Sequence, residues 1–197
     1  MKQITIDFFN KNKIKEFTLE ALYEYFYKTP SDMNEHLPVL KEYAEKCDSI
    51  IEMGFRTAVS AIGLLAGKPK SMIDYDIMDN WNGIKYKDIV EDIVEIESLN
   101  WKFEIANVLY IDIEPVDFLF IDTLHTYTQL SKELAKHSDK VKKYIGFHDI
   151  VSFGRRGEDG SPKGLMNAIE EFLSKTSDWN IEIENHNCNG LMILKRV

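Results

Sequence analysis

Val116-Asp117-Phe118-Leu119-Phe120-Ile121-Asp122-Thr123-Leu124-His125 is a run of bulky apolar residues that stops at an acid, with a histidine three positions further on. Such a run suits a strand buried on both faces of a parallel sheet. Its polar residues then fall at the carboxyl end, where open α/β sheets place their ligands. Tyr144-Ile145-Gly146-Phe147-His148-Asp149 has the same grammar. The two strand ends are expected to form one site.

Upstream lie three more candidate strands. Ser49-Ile50-Ile51-Glu52-Met53-Gly54 reads as the first. Phe55–Ser60 follows as a turn and Ala61–Gly67 as a helix, with Gly67 as its C-cap. A strand, a turn on glycine and a helix bring backbone N–H groups close to a polar ligand. The turn is neither a G-x-G-x-x-G fingerprint nor a P-loop. Ser71–Ile77 is the second strand and ends in acids. Asp76 lies 22 positions after Gly54, a spacing that suits a carboxylate accepting from ribose hydroxyls, or one that caps the next element. Residues 79–99 are expected to carry a helix, with Ile89, Val90, Ile93, Val94 and Ile96 inward. Lys102–Asn107 is the third strand, and Asn107 either contacts a base or closes a turn.

Downstream, Tyr127–His137 is an amphipathic helix through Leu130, Leu134 and Ala135, and His137 is expected at the surface as a dipole partner. Ser152–Gly164 is rich in glycine and charge and directly follows His148-Asp149; it reads as a lid or as a solvated loop. Leu165–Ser174 is helical. Trp179–Ile183 and Leu191–Leu194 are strands joined through Asn189-Gly190, a pair that suits a hairpin turn.

Residues 1–46 form an N-terminal extension. An apolar-alternating start (Ile4, Ile6, Phe8) precedes the aromatic Phe17–Tyr27 stretch, which is spaced as a helix. That helix serves packing, a substrate lid or a homodimer contact. A further helix runs from Asn34 to about Lys46, with His36 near its start as a structural or surface residue.

The chain's 197 residues suffice for one substantial domain, residues 47–197, with that extension. Its 44% hydrophobic and 29% charged shares are those of an ordinary globular protein. A net charge of −9 argues against a general nucleic-acid binder, which would need to neutralise phosphates. Two cysteines argue against a disulfide framework and make a cytoplasmic setting the expectation. No apolar run approaches about 18 residues, so no membrane partner is expected.

Five strand–helix alternations closed by a hairpin indicate an α/β fold. The expected form is a Rossmann-like, doubly wound, mostly parallel sheet with an antiparallel C-terminal edge hairpin. Pattern alone stops at a nucleotide-binding fold.

Specific residues add a resemblance. Glu52-Met53-Gly54 with Arg56-Thr57-Ala58-Val59-Ser60, Asp74-Tyr75-Asp76-Ile77, Phe120–Tyr127 and Phe147-His148-Asp149 resemble a class I S-adenosylmethionine (SAM)-dependent methyltransferase. The nearer likeness is to the branch of macrocin-type sugar O-methyltransferases and cephalosporin-hydroxylase-like proteins, over residues 47–197. In that family the final strand runs antiparallel at the sheet edge. The resemblance implies that Glu52, Gly54 and Ser60 lie near the cofactor's methionine moiety, with Arg56 also in contact with the cofactor. Asp76 would take the ribose, Asn107 the adenine, and Asp122 would border the cofactor. Ala58 stands where a second glycine is common and is expected to crowd the turn.

The same branch commonly holds Mg²⁺ or another divalent cation at the ends of its fourth and fifth strands. Here Asp122 and Asp149 match, and His148 replaces what is often a second acid. A histidine ligand would favour a transition metal over Mg²⁺. Successive strand residues point to opposite faces, so His148 and Asp149 can share an ion only if the strand has ended. The alternative for both aspartates is helix capping without metal. The implied reaction is methyl transfer to a hydroxyl of a small molecule, a sugar being the family's suggestion. The catalytic residues would be Asp122, with His125 or His148 taking the proton; otherwise His125 initiates the next helix. The rival class is a non-catalytic nucleotide- or small-molecule-binding module, and an NAD-dependent oxidoreductase is weaker for want of the glycine fingerprint.

Overall fold

The strand that opens the sequence reading, β4 (Val116–Ile121), is buried at all six positions in a computed structural model of residues 1–197. Phe118 and Phe120 enter the core on one face of the sheet, Leu119 and Ile121 the core on the other. Each such side chain removed from water contributes roughly 1.5–3 kcal/mol, so β4 can sit only in the sheet interior. Around it lie β1 (Ser49–Met53), β2 (Ser71–Asp76), β3 (Trp101–Ile105), β5 (Val141–His148), β6 (Trp179–Asn185) and β7 (Leu191–Arg196). The order across the sheet is β3-β2-β1-β4-β5-β7-β6. The first five strands pair in parallel, and β7 runs antiparallel to both β5 and β6. Chain direction across the sheet reverses between β1 and β4, and a crevice opens at the carboxyl ends of strands at such a reversal.

Helices α4 (Val59–Ala66) and α5 (Tyr86–Ile96) cover the face bearing Phe118 and Phe120. Helices α6 (Tyr127–His137) and α7 (Leu165–Ser174) cover the other. Helices α1 (Gln3–Lys11), α2 (Leu19–Lys28) and α3 (Leu37–Ala44) join the same core, which holds Leu22, Leu37 and Leu40 with Ile62 and Leu64, and Tyr43 of α3 packs on Tyr144 of β5 at 4.9 Å. No helix is long and apolar enough to cross a membrane.

Several local expectations are corrected. The alternating start is helix α1, because Thr5 and Phe9, one turn apart, are its buried residues and Asp92 of α5 accepts from the Lys2 N–H and the Thr5 hydroxyl. Helix α5 begins only at Tyr86; Trp81 and Ile84 close a tight turn through Asn82 and Gly83, both at positive φ. Ile96, expected inward, is 52% exposed at its end. The third strand stops at Ile105, before Asn107. His137, expected at the surface, is buried with its Nε2 on the Val108 carbonyl (2.9 Å), whereas His36 is a structural residue as read, buried with its Nε2 on the Cys188 carbonyl (3.2 Å). Helix α4 does end at Gly67, but the left-handed residue is Lys68. What Gly67 provides is room, since a Cβ there would stand 2.5 Å from that of Ala44. The final strand β7 is internal, and β6 holds the edge.

Candidate active site

Gly54 joins three strand ends. Its N–H donates to the Tyr75 carbonyl of β2, and the Asp122 N–H donates to the Met53 carbonyl of β1, both at 2.8 Å. Gly54 has φ +99°, and a Cβ there would lie 1.9 Å from the Asp122 carbonyl oxygen. Asp76 braces the turn that follows: its Oδ2 accepts the backbone N–H groups of Phe55 and Arg56, each at 2.9 Å. Its Oδ1 accepts from the Met78 N–H at 3.2 Å and keeps a lone pair for a ligand hydroxyl. Arg56 pairs with Asp32 (2.9 Å) and lies over the Trp81 ring.

Ala58 adopts φ +64°, a left-handed conformation that costs a non-glycine residue roughly 1–2 kcal/mol. Its methyl is 1% exposed within the core, so it does not crowd the ligand side of the turn as expected. Ala58→Gly is expected to stabilise the protein by up to about 1 kcal/mol, the relief of strain being partly offset by glycine's freedom in the unfolded chain. Urea denaturation reads this directly; a lower midpoint would show the methyl's packing to outweigh the strain.

Glu52 and Ser60 lie beneath the turn, 0% and 5% exposed, outside the cleft lining. Glu52 is the register partner of Asp74 across β1 and β2. Burial, then the neighbouring Asp74, push the Glu52 carboxyl well above the usual range. Burial pushes Asp74 up to about 7, although the Trp101 indole N–H donates to it at 2.6 Å. The pair holds at least one proton at neutral pH and supports the turn from below.

The second half of the site is the meeting of β4 and β5. β5 ends at His148, and Asp149 adopts φ +60°. That left-handed step breaks strand alternation, so His148 and Asp149 both face Asp122. His148 Nδ1 stands 3.5 Å from Asp122 Oδ1 and 3.3 Å from Asp149 Oδ2. Its Nε2–H is taken by the carbonyls of Asp32 (2.8 Å) and Cys188 (3.0 Å). Neither aspartate caps a helix; α6 is capped by Thr126, whose hydroxyl accepts from the Gln129 N–H. Burial alone would lower the pKa of His148, but Asp122 and Asp149 push it up to about 11. Burial would raise that of Asp122, and His125 and His148 outweigh it, holding the carboxyl well below its ordinary value.

His125 is gripped on both sides. Its Nε2 lies 3.1 Å from both Asp122 Oδ1 and Asp149 Oδ2, its Nδ1 2.5 Å from Glu158 Oε2, and its ring stacks on Phe153 at 5.0 Å. Burial would lower its pKa, but the carboxylates of Asp122, Asp149 and Glu158 raise it. Carboxylates facing both ring nitrogens favour the doubly protonated imidazole, so service as a base requires that Nε2 first give a proton up.

A cleft of about 690 Å³ connects the two halves, a volume within the range of small-molecule sites. Gly54, Arg56, Asp76, Asn107, Asp122, His125 and Asp149 line it, as do three residues without a role in the sequence reading: Asp32, Trp81 and Glu158. His148 sits behind Asp122 and Asp149. Glu158 lies in the glycine-rich segment read as a lid or a solvated loop, so only its partner was unreadable; for Asp32 no sequence signal exists.

This strand order and its antiparallel seventh strand define the fold of class I SAM-dependent methyltransferases. No protein-family model matches the chain, and no curated protein matches it by sequence. Solved structures do. The O-methyltransferase TomG of Streptomyces achromogenes, in complex with SAM, is similar over 100% of both chains at 12% identity, with a TM-score of 0.63. An O-methyltransferase from Bacillus cereus in complex with S-adenosylhomocysteine (SAH) is similar over 100% of this chain and 92% of its own, at 14% identity and a TM-score of 0.62. An SAH-bound methyltransferase from Podospora anserina is similar over 100% and 89%, at 12% identity and a TM-score of 0.60.

Proposed function

We propose that the chain is a SAM-dependent methyltransferase that methylates a hydroxyl of a small-molecule acceptor, a sugar among the candidates, with the help of a divalent cation. The observation that carries this reading is that one cleft is lined both by Gly54 and Asp76 and by the converging Asp122, His125 and Asp149. The SAM and SAH complexes of similarly folded enzymes support the choice of cofactor.

The residues at the β4 and β5 ends fit a cation. Ligand atoms of Asp122, His148 and Asp149 lie within 4.8 Å of one another. His148 Nδ1 and Asp149 Oδ1 are buried without a hydrogen-bond partner. With Nε2 committed to two carbonyls, His148 presents Nδ1 inward, the arrangement by which partners orient histidine ligands. One imidazole beside two carboxylates favours Mn²⁺, Fe²⁺, Co²⁺ or Zn²⁺ over Mg²⁺. Bound there, the cation would lower the acceptor hydroxyl's pKa and offset the carboxylates that hold the Nε2 proton of His125.

The chain's own residues do the rest. Asp76 Oδ1 takes a ribose hydroxyl, Asn107 lies beside the base, and the Gly54 turn lets the backbone approach the methionine moiety. Holding acceptor and methyl donor in line is itself a large part of catalysis. His125 Nε2, at the cluster, takes the hydroxyl proton as the methyl moves from sulfur to oxygen.

Titration calorimetry with SAM, SAH and NAD, each with and without Mn²⁺ or Mg²⁺, tests the assignment. Binding of SAM and SAH but not NAD is the expected result, with manganese outranking magnesium. Absence of SAM and SAH binding sinks it and leaves the non-catalytic module.

A further inference from the structure

We propose that Glu158 is the positioning residue for His125: its carboxylate holds the Nδ1–H of the imidazole and so aims Nε2 at the acceptor hydroxyl. The inference rests on the methyl-transfer reading for the purpose of that aim, and on geometry alone for the contact.

The contact is built, not incidental. Glu158 Oε2 lies 2.5 Å from His125 Nδ1 and 3.4 Å from the His125 backbone N–H, and the Glu158 N–H returns a bond to the His125 carbonyl at 3.1 Å. The segment presenting it is a closed turn: the Gly157 N–H donates to the Ser161 carbonyl, the Gly160 N–H to the Gly157 carbonyl, and Arg156 Nε–H to the Gly160 carbonyl. Neighbouring cations are engaged elsewhere, Arg155 with Glu170 and Lys163 over the Tyr127 ring. His125 is the one ionic partner of Glu158.

The chemistry follows from the two ring nitrogens. Once Nε2 has given up its proton, an imidazole that donates Nδ1–H to a carboxylate presents Nε2 as acceptor, the role that an aspartate plays for histidine in hydrolase triads. When the acceptor O–H gives its proton to Nε2, the oxygen gains the methyl, the sulfonium C–S bond breaks and its electron pair stays on sulfur. The resulting imidazolium is balanced by Glu158, and its Nε2 proton is then released to water. Glu158 acts through its bond to His125 Nδ1.

Histidine-¹⁵N-labelled protein, loaded with SAH and Zn²⁺, reads the contact by NMR without an acceptor. A far-downfield Nδ1 proton, assigned to His125 by its absence in His125→Asn, is expected in the wild type. It should persist, shifted upfield, in Glu158→Gln, whose amide oxygen still accepts, and vanish in Glu158→Ala. It should remain in Phe153→Ala, which removes the stacked ring and leaves the carboxylate. Persistence in Glu158→Ala, or loss in Glu158→Gln or in Phe153→Ala, overturns the inference in favour of simple loop closure. SAH affinity, measured on the same samples, should stay within about threefold in every Glu158 variant. If wild-type protein binds no SAH, the methyltransferase reading fails, while the zinc-loaded spectra still decide whether Glu158 holds His125.

Discussion

Gly54→Ala is expected to abolish SAM binding and to destabilise the protein by roughly 3 kcal/mol, the sum of a strained backbone and an overpacked contact. Two separate penalties act. The residue holds φ +99°, far from any well open to alanine. Its Cβ would also stand 1.9 Å from the Asp122 carbonyl oxygen and 2.6 Å from the carbonyl carbon. Backbone cannot swing aside as a long side chain can. The Asp122 N–H is bonded to the Met53 carbonyl and the Gly54 N–H to that of Tyr75, so relief must separate β4 from β1 or β1 from β2. Either movement displaces the Phe55 and Arg56 N–H groups from Asp76 and carries Asp122 with it. Melting and SAH calorimetry measure the two effects separately. A variant that melts low but binds SAH at wild-type affinity would detach the turn from the cofactor.

That outcome concerns the part of the site most legible in the sequence. The buried run at Val116–Ile121 could be read because a strand covered on both faces needs apolar residues at every position. Helices α6 and α7 fall at the predicted Tyr127–His137 and Leu165–Ser174, since each carries a clear apolar stripe. The errors arose where partners are remote. Nothing near His137 announces the Val108 carbonyl 29 positions away, and nothing near Thr5 announces Asp92. One miss had a signal: Asn82-Gly83 is a strong turn pair, and it sets the late start of α5.

The cluster at the β4 and β5 ends shows a different limit. Asp122, His148 and Asp149 were visible as types and positions, but their convergence depends on a single left-handed residue, Asp149. No local sequence rule distinguishes an aspartate that continues a strand from one that turns out of it. The grip on His125 was hidden for the same reason, since Glu158 reaches it across 33 positions of chain.

Asp149→Asn should separate the two halves of the cleft. Manganese or zinc affinity is expected to fall on the order of 100-fold, because a neutral amide replaces a charged ligand and even the loss of an outer partner costs 10–100-fold. SAH affinity in the absence of metal should change by less than about threefold, since Gly54 and Asp76, the proposed cofactor contacts, are bonded to other atoms. Shape is conserved by the substitution, so the fold should survive. The charge is not: His148 loses one of the two carboxylates that hold its proton, and His125 one of the two facing Nε2. Both imidazoles should then titrate at lower pH than in the wild type, a shift that NMR reads independently of any metal. An unchanged metal affinity would place the cation away from the β5 end. Lowered imidazole pKa values alongside it would show that the cluster is a carboxylate–histidine ion-pair network, complete without a metal and able to hold His125 protonated at the mouth of the cleft.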